Sequence, residues 1–207
     1  SESDTEVILY GYEEWGLDLF KMLRGMYAIA IWDNKEEKLI ISRDGLGIKP
    51  LYYFKDENFF IFSSQALYIQ KIVKSRINKN SAVSFLFNGS VYSNESIFEN
   101  IFLFEQGSVN TIKIKNNNIV MEEIFSEKNK LFCNDFIHND DEEYYLTKIR
   151  DSIRVHSNAD AKAGVFLSAG VDSTSLLATL KNTLRFSTGD INDNFQISGR
   201  FFIKYKS

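Results

Sequence analysis

Gly164-Val-Phe-Leu-Ser-Ala-Gly-Val-Asp-Ser-Thr174 decides how the C-terminal part of this chain folds. Val165, Phe166 and Leu167 are a short apolar run of the kind a buried strand makes. Residues 168–173 are mostly small, and Thr174-Ser-Leu-Leu-Ala-Thr-Leu180 then suits a helix. A strand, a small-residue turn and a helix start together make an anion cradle. Free backbone N–H groups point at the ligand there, and the helix dipole adds partial positive charge. Ser168 and Ser173 add hydroxyl donors. Asp172 would repel a bare phosphate, so it reads as a partner for Mg2+ bound to that phosphate. The cradle is therefore taken as Leu167, Ser168, Ala169, Gly170, Val171, Asp172 and Ser173. It is not a Walker A loop, because no Gly-Lys-Ser/Thr follows. An ordinary strand-to-helix turn is the plain alternative; two serines and an aspartate in these places favour phosphate.

Upstream of this unit, Tyr145, Leu146, Ile149 and Ile153 take helical spacing, with Asn139 or Asp140 as cap. Residues 126–141 are polar and irregular and read as a linker. The N-terminal part opens with Ser3 and Glu6 in capping-box spacing, and Val7, Ile8, Tyr12 and Trp15 are expected on one helical face before Gly16. Leu17, Phe20 and Leu23 are expected to point inward from a second short helix. Tyr27-Ala-Ile-Ala-Ile-Trp32 is almost continuously apolar, as expected of a strand buried on both faces. A polar turn at 33–37 leads to a partner strand at 38–42. Arg43-Asp-Gly-Leu-Gly-Ile-Lys-Pro50 is a loop, and residues 51–54 and 58–63 make a hairpin. Helices are expected near 65–72 and 81–87, and strands at 109–114 and 119–124.

The 207 residues are 44% hydrophobic and 25% charged, a composition that builds a core and is not that of a disordered chain. A net charge of −4 without a basic block argues against nucleic acid as a partner. The single cysteine, Cys133, cannot form an intrachain disulfide, and no Cys/His cluster has zinc spacing. No apolar run reaches membrane-spanning length. A reducing cytoplasm is the expected setting.

The stretch 164–174 resembles the pyrophosphate-binding loop of glutamine-hydrolysing asparagine synthetases, with Ala169 where that family usually has glycine. Ser3-Asp4-Thr5-Glu6-Val7, Leu23-x-Gly25-Met26-Tyr27-Ala28 and Arg43-Asp44-x-x-Gly47-x-Lys49-Pro50-Leu51-Tyr52 resemble the class II glutamine amidotransferase domain of the same family, in the same order. Ile97-Phe98-Glu99-x-Ile101 and Gly107-Ser108 fit the segment between the two motif groups. The resemblance implies a fold: an α+β, N-terminal-nucleophile-like glutaminase portion (1–125), a linker (126–141) and the start of an α/β PP-loop ATP-binding domain (142–207). It also implies ATP-dependent amidation of aspartate through an acyl-adenylate, with ammonia drawn from glutamine. ATP and Mg2+ are the implied cofactors, and the full-length family implies a possible homodimer. Asp4 is the position implied to bind the amino group of glutamine.

Several positions depart from the pattern. The family's nucleophile is a mature N-terminal cysteine, and Cys133 does not match it, so no catalytic residue carries over and the chain is expected to release no glutamate by itself. The family's glutamine-binding Arg and Asn-Gly positions also have no counterpart. Gln65 and Gln106 stand where Glu and Pro are usual. A chain truncated at both ends is the expectation these gaps suggest. Arg43 and Asp44 read as an ion pair or turn-builder, and Tyr144 and Tyr145 as packing residues. Cys133, His138 and His156 have no chemical partners in the sequence. Three alternatives stay open: a related amide or lactam ligase, an amidotransferase acting on a polysaccharide sugar acid, and a non-catalytic remnant.

Overall fold

A computed structural model describes residues 3–116, 118–126, 142–157, 165–167, 170–183 and 201–203. The chain divides into two compact units, Ser1–Asp135 and Phe136–Ser207.

The first unit runs α1 (Asp4–Trp15), a 3-10 turn (Gly16–Asp18), α2 (Leu19–Met22), β1 (Ala28–Asp33), β2 (Lys38–Arg43), β3 (Tyr52–Lys55), β4 (Phe60–Ser63), α3 (Ala66–Val73), α4 (Lys79–Asn88), β5 (Phe102–Leu103), β6 (Ser108–Lys115) and β7 (Asn118–Ser126). Two antiparallel sheets result, one ordered β1-β2-β6-β7 and the other β4-β3-β5. Alternation along the strands explains why the first sheet sits in the middle of this unit. Ile40 joins Phe20, Ile31 and Val109 on the face covered by α1 and α2, where Ile8, Tyr12, Leu17 and Leu23 also pack. Its neighbours Leu39 and Ile41 point the other way, into a second core with Leu51, Tyr53, Phe60, Phe104 and Ile112. Covered on both faces, residues 108–112 of β6 are all buried. Aromatic contacts knit the second core, the closest being Tyr53 with Phe104 at 4.5 Å between ring centroids; each such pair adds about 1 kcal/mol beyond its buried area. Helix α3 packs on β3 and β4 and buries Ile69.

Local signals explain the helix ends. The Asn78 side chain caps α4 by accepting from the N–H groups of Asn80 and Ser81. Gly89, at φ +71°, closes its C-terminus.

Three expectations for this unit need correction. The Ser3 side chain makes no cap hydrogen bond; its carbonyl accepts from Glu6 and Val7 N–H instead. Helix α1 buries Gly11 and half-buries Ile8 and Tyr12, whereas Val7 and Trp15 are exposed, because an i, i+3, i+4 stripe is narrower than the four apolar residues suggested. Strand β1 is not buried on both faces: Ile29 and Ile31 face the helices, while Ala28, Ala30 and Trp32 are exposed.

In the second unit, α5 (Glu142–His156) has acidic residues in its first turn and basic ones in its last, each sign complementing the helix dipole. Strand β8 (Val165–Leu167) pairs antiparallel with β9 (Phe201–Ile203), and α6 spans Val171–Thr183. The strand at 201–203 was not foreseen. The helix begins at Val171, three residues earlier than expected, so Asp172 and Ser173 belong to its first turn. Tyr144 and Tyr145 are exposed and meet edge to face at 5.5 Å, a contact with each other in place of the packing role expected. The proposed caps Asn139 and Asp140, and nearly all of the proposed linker, lie outside the described residues.

Candidate functional site

A cleft of about 530 Å³ opens in the first unit between the start of α1 and the β1 edge. Helix α1 contributes Asp4, Thr5, Ile8 and Leu9, the approach to β1 contributes Met26 and Tyr27, and the 43–50 loop contributes Lys49 and Pro50. Ser64 follows β4 into the same space. All three N-terminal motifs thus meet at one place, although 45 positions separate Asp4 from Lys49 in sequence. Asp4 stands in the first helical turn and is exposed to the cleft, where the dipole favours its negative charge. Tyr12, two turns along the same helix, donates to Asp33 Oδ2 at 2.6 Å and ties α1 to the β1–β2 turn. Burial, and then this hydrogen bond, push the Tyr12 hydroxyl well above its ordinary range. The Tyr12 hydroxyl, with the Glu36 and Lys35 N–H groups and the Lys38 charge, holds the Asp33 carboxyl below its usual range.

The 43–50 loop is held by the two charged side chains at its start. Arg43, 7% exposed, donates Nε–H to the Lys49 carbonyl at 2.9 Å and Nη1–H to the Phe104 carbonyl at 2.6 Å, and its Nη2 donates to the Gly47 carbonyl. Burial draws its pKa below the ordinary value, with the Asp44 charge acting in the opposite sense. Asp44, 1% exposed, accepts at Oδ1 from the N–H groups of Leu46 (3.2 Å) and Ile48 (2.9 Å), and at Oδ2 from that of Lys49 (3.0 Å). Its own N–H donates to the Tyr27 carbonyl at 3.0 Å, and its carbonyl accepts from Gly47 and Gly107, each at 2.9 Å. Of the two expected roles, turn-builder is the one these bonds describe. Gly47 sits at φ +63°, and a Cβ there would lie 2.8 Å from Arg43 Nη2 and 3.1 Å from Gln106 Cβ. Glycine is required on both counts.

In the second unit, Leu167 ends β8, and Gly170 precedes α6, whose first residues are Val171, Asp172 and Ser173. Ser168 and Ala169 lie outside the described residues, as do Cys133 and His138. Ser173 Oγ and Thr174 Oγ1 both donate to the Gly170 carbonyl, at 3.2 and 2.8 Å. Among the described residues no group of three or more His, Cys, Asp or Glu is placed to hold a metal ion. One carboxylate, Asp172, at a helix start is a donor set that fits a metal carried on a phosphate and does not fit a cage built by the protein. His156 Nδ1 lies 2.8 Å from the Ser152 carbonyl of its own helix, a structural contact. Gln65 stands at the N-cap of α3, its carbonyl accepting from Tyr68 N–H and its own N–H donating to Ser63 Oγ, each at 3.2 Å. No described helix is long and apolar enough to cross a membrane.

Sequence reasoning named Asp4 but gave no role to Tyr27, Lys49 or Ser64. The motifs at 23–28 and 43–52 were the signals for Tyr27 and Lys49, and neither includes Ser64.

The sequence profile of the glutamine amidotransferase domain matches residues 1–124. The chain belongs to that family. The asparagine synthase profile matches residues 145–193. The chain is 32% identical over 185 residues to asparagine synthetase [glutamine-hydrolyzing] 2 of Bacillus subtilis, covering 84% of this chain and 25% of that protein. It is 31% identical over 190 residues to a Methanocaldococcus jannaschii protein that bears the same name provisionally, covering 86% of this chain and 35% of that one. Amidase chry2 of Gibberella zeae is 25% identical over 189 residues, covering 90% of this chain and 28% of that protein. The chain thus spans between a quarter and about a third of the length of these relatives. This glutamine amidotransferase portion is the α+β unit, and the asparagine synthase match begins within α5.

Proposed function

We propose that the first unit holds L-glutamine in the Asp4 cleft and that the protein uses glutamine nitrogen for ATP-dependent amidation of aspartate. The observation that carries this reading is the convergence of Asp4, Tyr27, Lys49, Pro50 and Ser64 on a single cleft. The relatives named as glutamine-hydrolysing asparagine synthetases support it. Asp4 accepts hydrogen bonds from the α-ammonium of the amino acid; a charge-assisted bond of this kind is about twice as strong as a neutral one.

Residues 1–125 form the ammonia-producing portion, 126–141 a linker, and 142–207 the start of the ATP-binding portion. In the second portion the aspartate carboxylate attacks the α-phosphorus of ATP, giving aspartyl-adenylate and expelling pyrophosphate. Ammonia then attacks the acyl carbon and AMP leaves. Residues 167–173 would hold the pyrophosphate, with backbone N–H groups at the start of α6 as donors and Asp172 as the carboxylate that would face a magnesium ion carried on the phosphates. When bound, that metal supplies neutralisation of phosphate charge. Reliance on ATP agrees with a cytoplasmic setting. The amidase relative favours a second reading, in which the same glutamine portion serves an acceptor other than aspartate.

Titration with L-glutamine, followed through 1H–15N amide shifts, tests the cleft. Saturable shifts are expected at Asp4, Tyr27, Lys49 and Ser64. Shifts confined to residues outside the cleft would overturn the assignment.

A further inference from the structure

Arg43 and Asp44 line no part of the Asp4 cleft, yet their hydrogen bonds end on two of its walls. We propose that Arg43 and Asp44 are positioning residues for the amino acid held in that cleft: they fix the backbone on either side of Lys49 and the carbonyl of Tyr27. The inference rests on reading the cleft as a glutamine site.

Lys49 is restrained at both of its peptide groups. Its N–H donates to Asp44 Oδ2 at 3.0 Å and its carbonyl accepts from Arg43 Nε–H at 2.9 Å. With both flanking peptide planes pinned, the direction in which Lys49 leaves the backbone is set, and the position of Pro50 with it. Elsewhere in the lining, the Asp44 N–H donates to the Tyr27 carbonyl at 3.0 Å. A single dipeptide therefore sets the distance between two walls that come from different parts of the chain.

The chemistry is that of a device for imposing shape. Burying a guanidinium and a carboxylate carries a desolvation cost that apolar residues of similar size would avoid. Here the hydrogen bonds of each side chain go to backbone groups and not to the other side chain. Arg43 satisfies three carbonyls and Asp44 three N–H groups, six backbone groups that would otherwise leave the loop undefined. That inventory maximises the definition of one backbone path, which is what a preorganised binding wall needs.

Asp44→Asn is the informative variant. Asn keeps an acceptor oxygen for Leu46 and Ile48 but turns an NH2 group toward the Lys49 N–H, so the release falls on the residue that lines the cleft. Arg43→Lys keeps the charge and loses the fork that reaches three carbonyls. Dissociation constants for L-glutamine would be measured by amide-shift titration on the full 207-residue chain, well below each variant's Tm, with Asp4→Asn as the direct-contact control.

Both positioning variants are expected to bind about tenfold more weakly than the parent, with the fold intact by circular dichroism. A purely structural pair would lower Tm and leave the affinity of the folded chain unchanged. Affinities within twofold of the parent in both variants therefore overturn the inference while leaving the cleft reading intact. No binding by the parent, or binding indifferent to Asp4→Asn, overturns the cleft reading and the inference with it. Should either variant fail to fold, hydrogen exchange of the Lys49 amide in the parent decides: slow exchange supports the pinned loop, and exchange at the open-loop rate overturns it.

Discussion

Residues 43–50 of the first unit and the start of α6 at Gly170 in the second differ in the bonds described for them. The first is tied to distant parts of the chain: Arg43 reaches Phe104, 61 positions away, and Asp44 joins Tyr27 and Gly107. At the second, Ser173, Thr174 and the Thr174 N–H all donate to the Gly170 carbonyl within one turn of α6. A turn cross-linked from three sides has its shape before any ligand arrives. The bonds to the Gly170 carbonyl are those of a first helical turn and reach no distant part of the chain.

The strongest attack on the cross-linked turn is Gly47→Ala. A Cβ at φ +63° is strained, and this one would meet the Arg43 guanidinium at 2.8 Å. The expected loss is about 3 kcal/mol of unfolding free energy, the sum of a left-handed backbone penalty and overpacking. Urea denaturation checks it; a loss below about 1 kcal/mol would mean that the loop yields without cost. In the second unit the corresponding test is Asp172→Ala, read as pyrophosphate affinity in magnesium. About tenfold weaker binding is expected, with little change in the absence of the metal. Equal loss with and without magnesium would assign Asp172 to the helix start alone.

Tyr12→Phe probes how firmly the helix that carries Asp4 is anchored. Removing the hydrogen bond to Asp33 should lower Tm by roughly 4 °C at neutral pH. The sign of the pH dependence follows from both partners. The Asp33 carboxyl, held low, contributes above its unfolded pKa, and that contribution is lost as pH falls through the lower folded value. The Tyr12 hydroxyl, held high, contributes below its unfolded pKa of about 10, and that contribution is lost as pH rises toward the higher folded value. The difference between parent and variant should therefore be flat from about pH 5 to 9 and shrink on both sides. The smallest effect is expected at Ser42, whose buried hydroxyl has no hydrogen-bond partner among the described residues. Ser42→Ala should be neutral or slightly stabilising by thermal melting, because it removes an unsatisfied polar group. A clear loss would reveal a partner for that hydroxyl.

Much of this architecture was legible because side-chain period and turn residues agree. The polar turn at 33–37 between two apolar runs announced the pairing of β1 with β2, and Gly16 marked the end of α1. Misreadings arose where apolar character stood in for burial. Trp32, Val7 and Trp15 are apolar and exposed, and only neighbours in space, such as Phe20 beneath Ile31, decide which face is covered. The site was half legible. Asp4 stood out through resemblance, whereas the work of Arg43 and Asp44 rests on bonds to Phe104, Gly107 and Tyr27 that no local pattern encodes. The early start of α6 escaped notice because small residues suit a turn and a first helical turn alike.

The proposed contact between Asp4 and an α-ammonium group is tested most directly by a paired ligand comparison. Glutaramate is L-glutamine without its ammonium. The parent chain should prefer L-glutamine to glutaramate by at least about tenfold in amide-shift titrations, and Asp4→Asn should bind the two alike. Equal affinities in the parent, or a preference that survives Asp4→Asn, would contradict the assignment of this cleft.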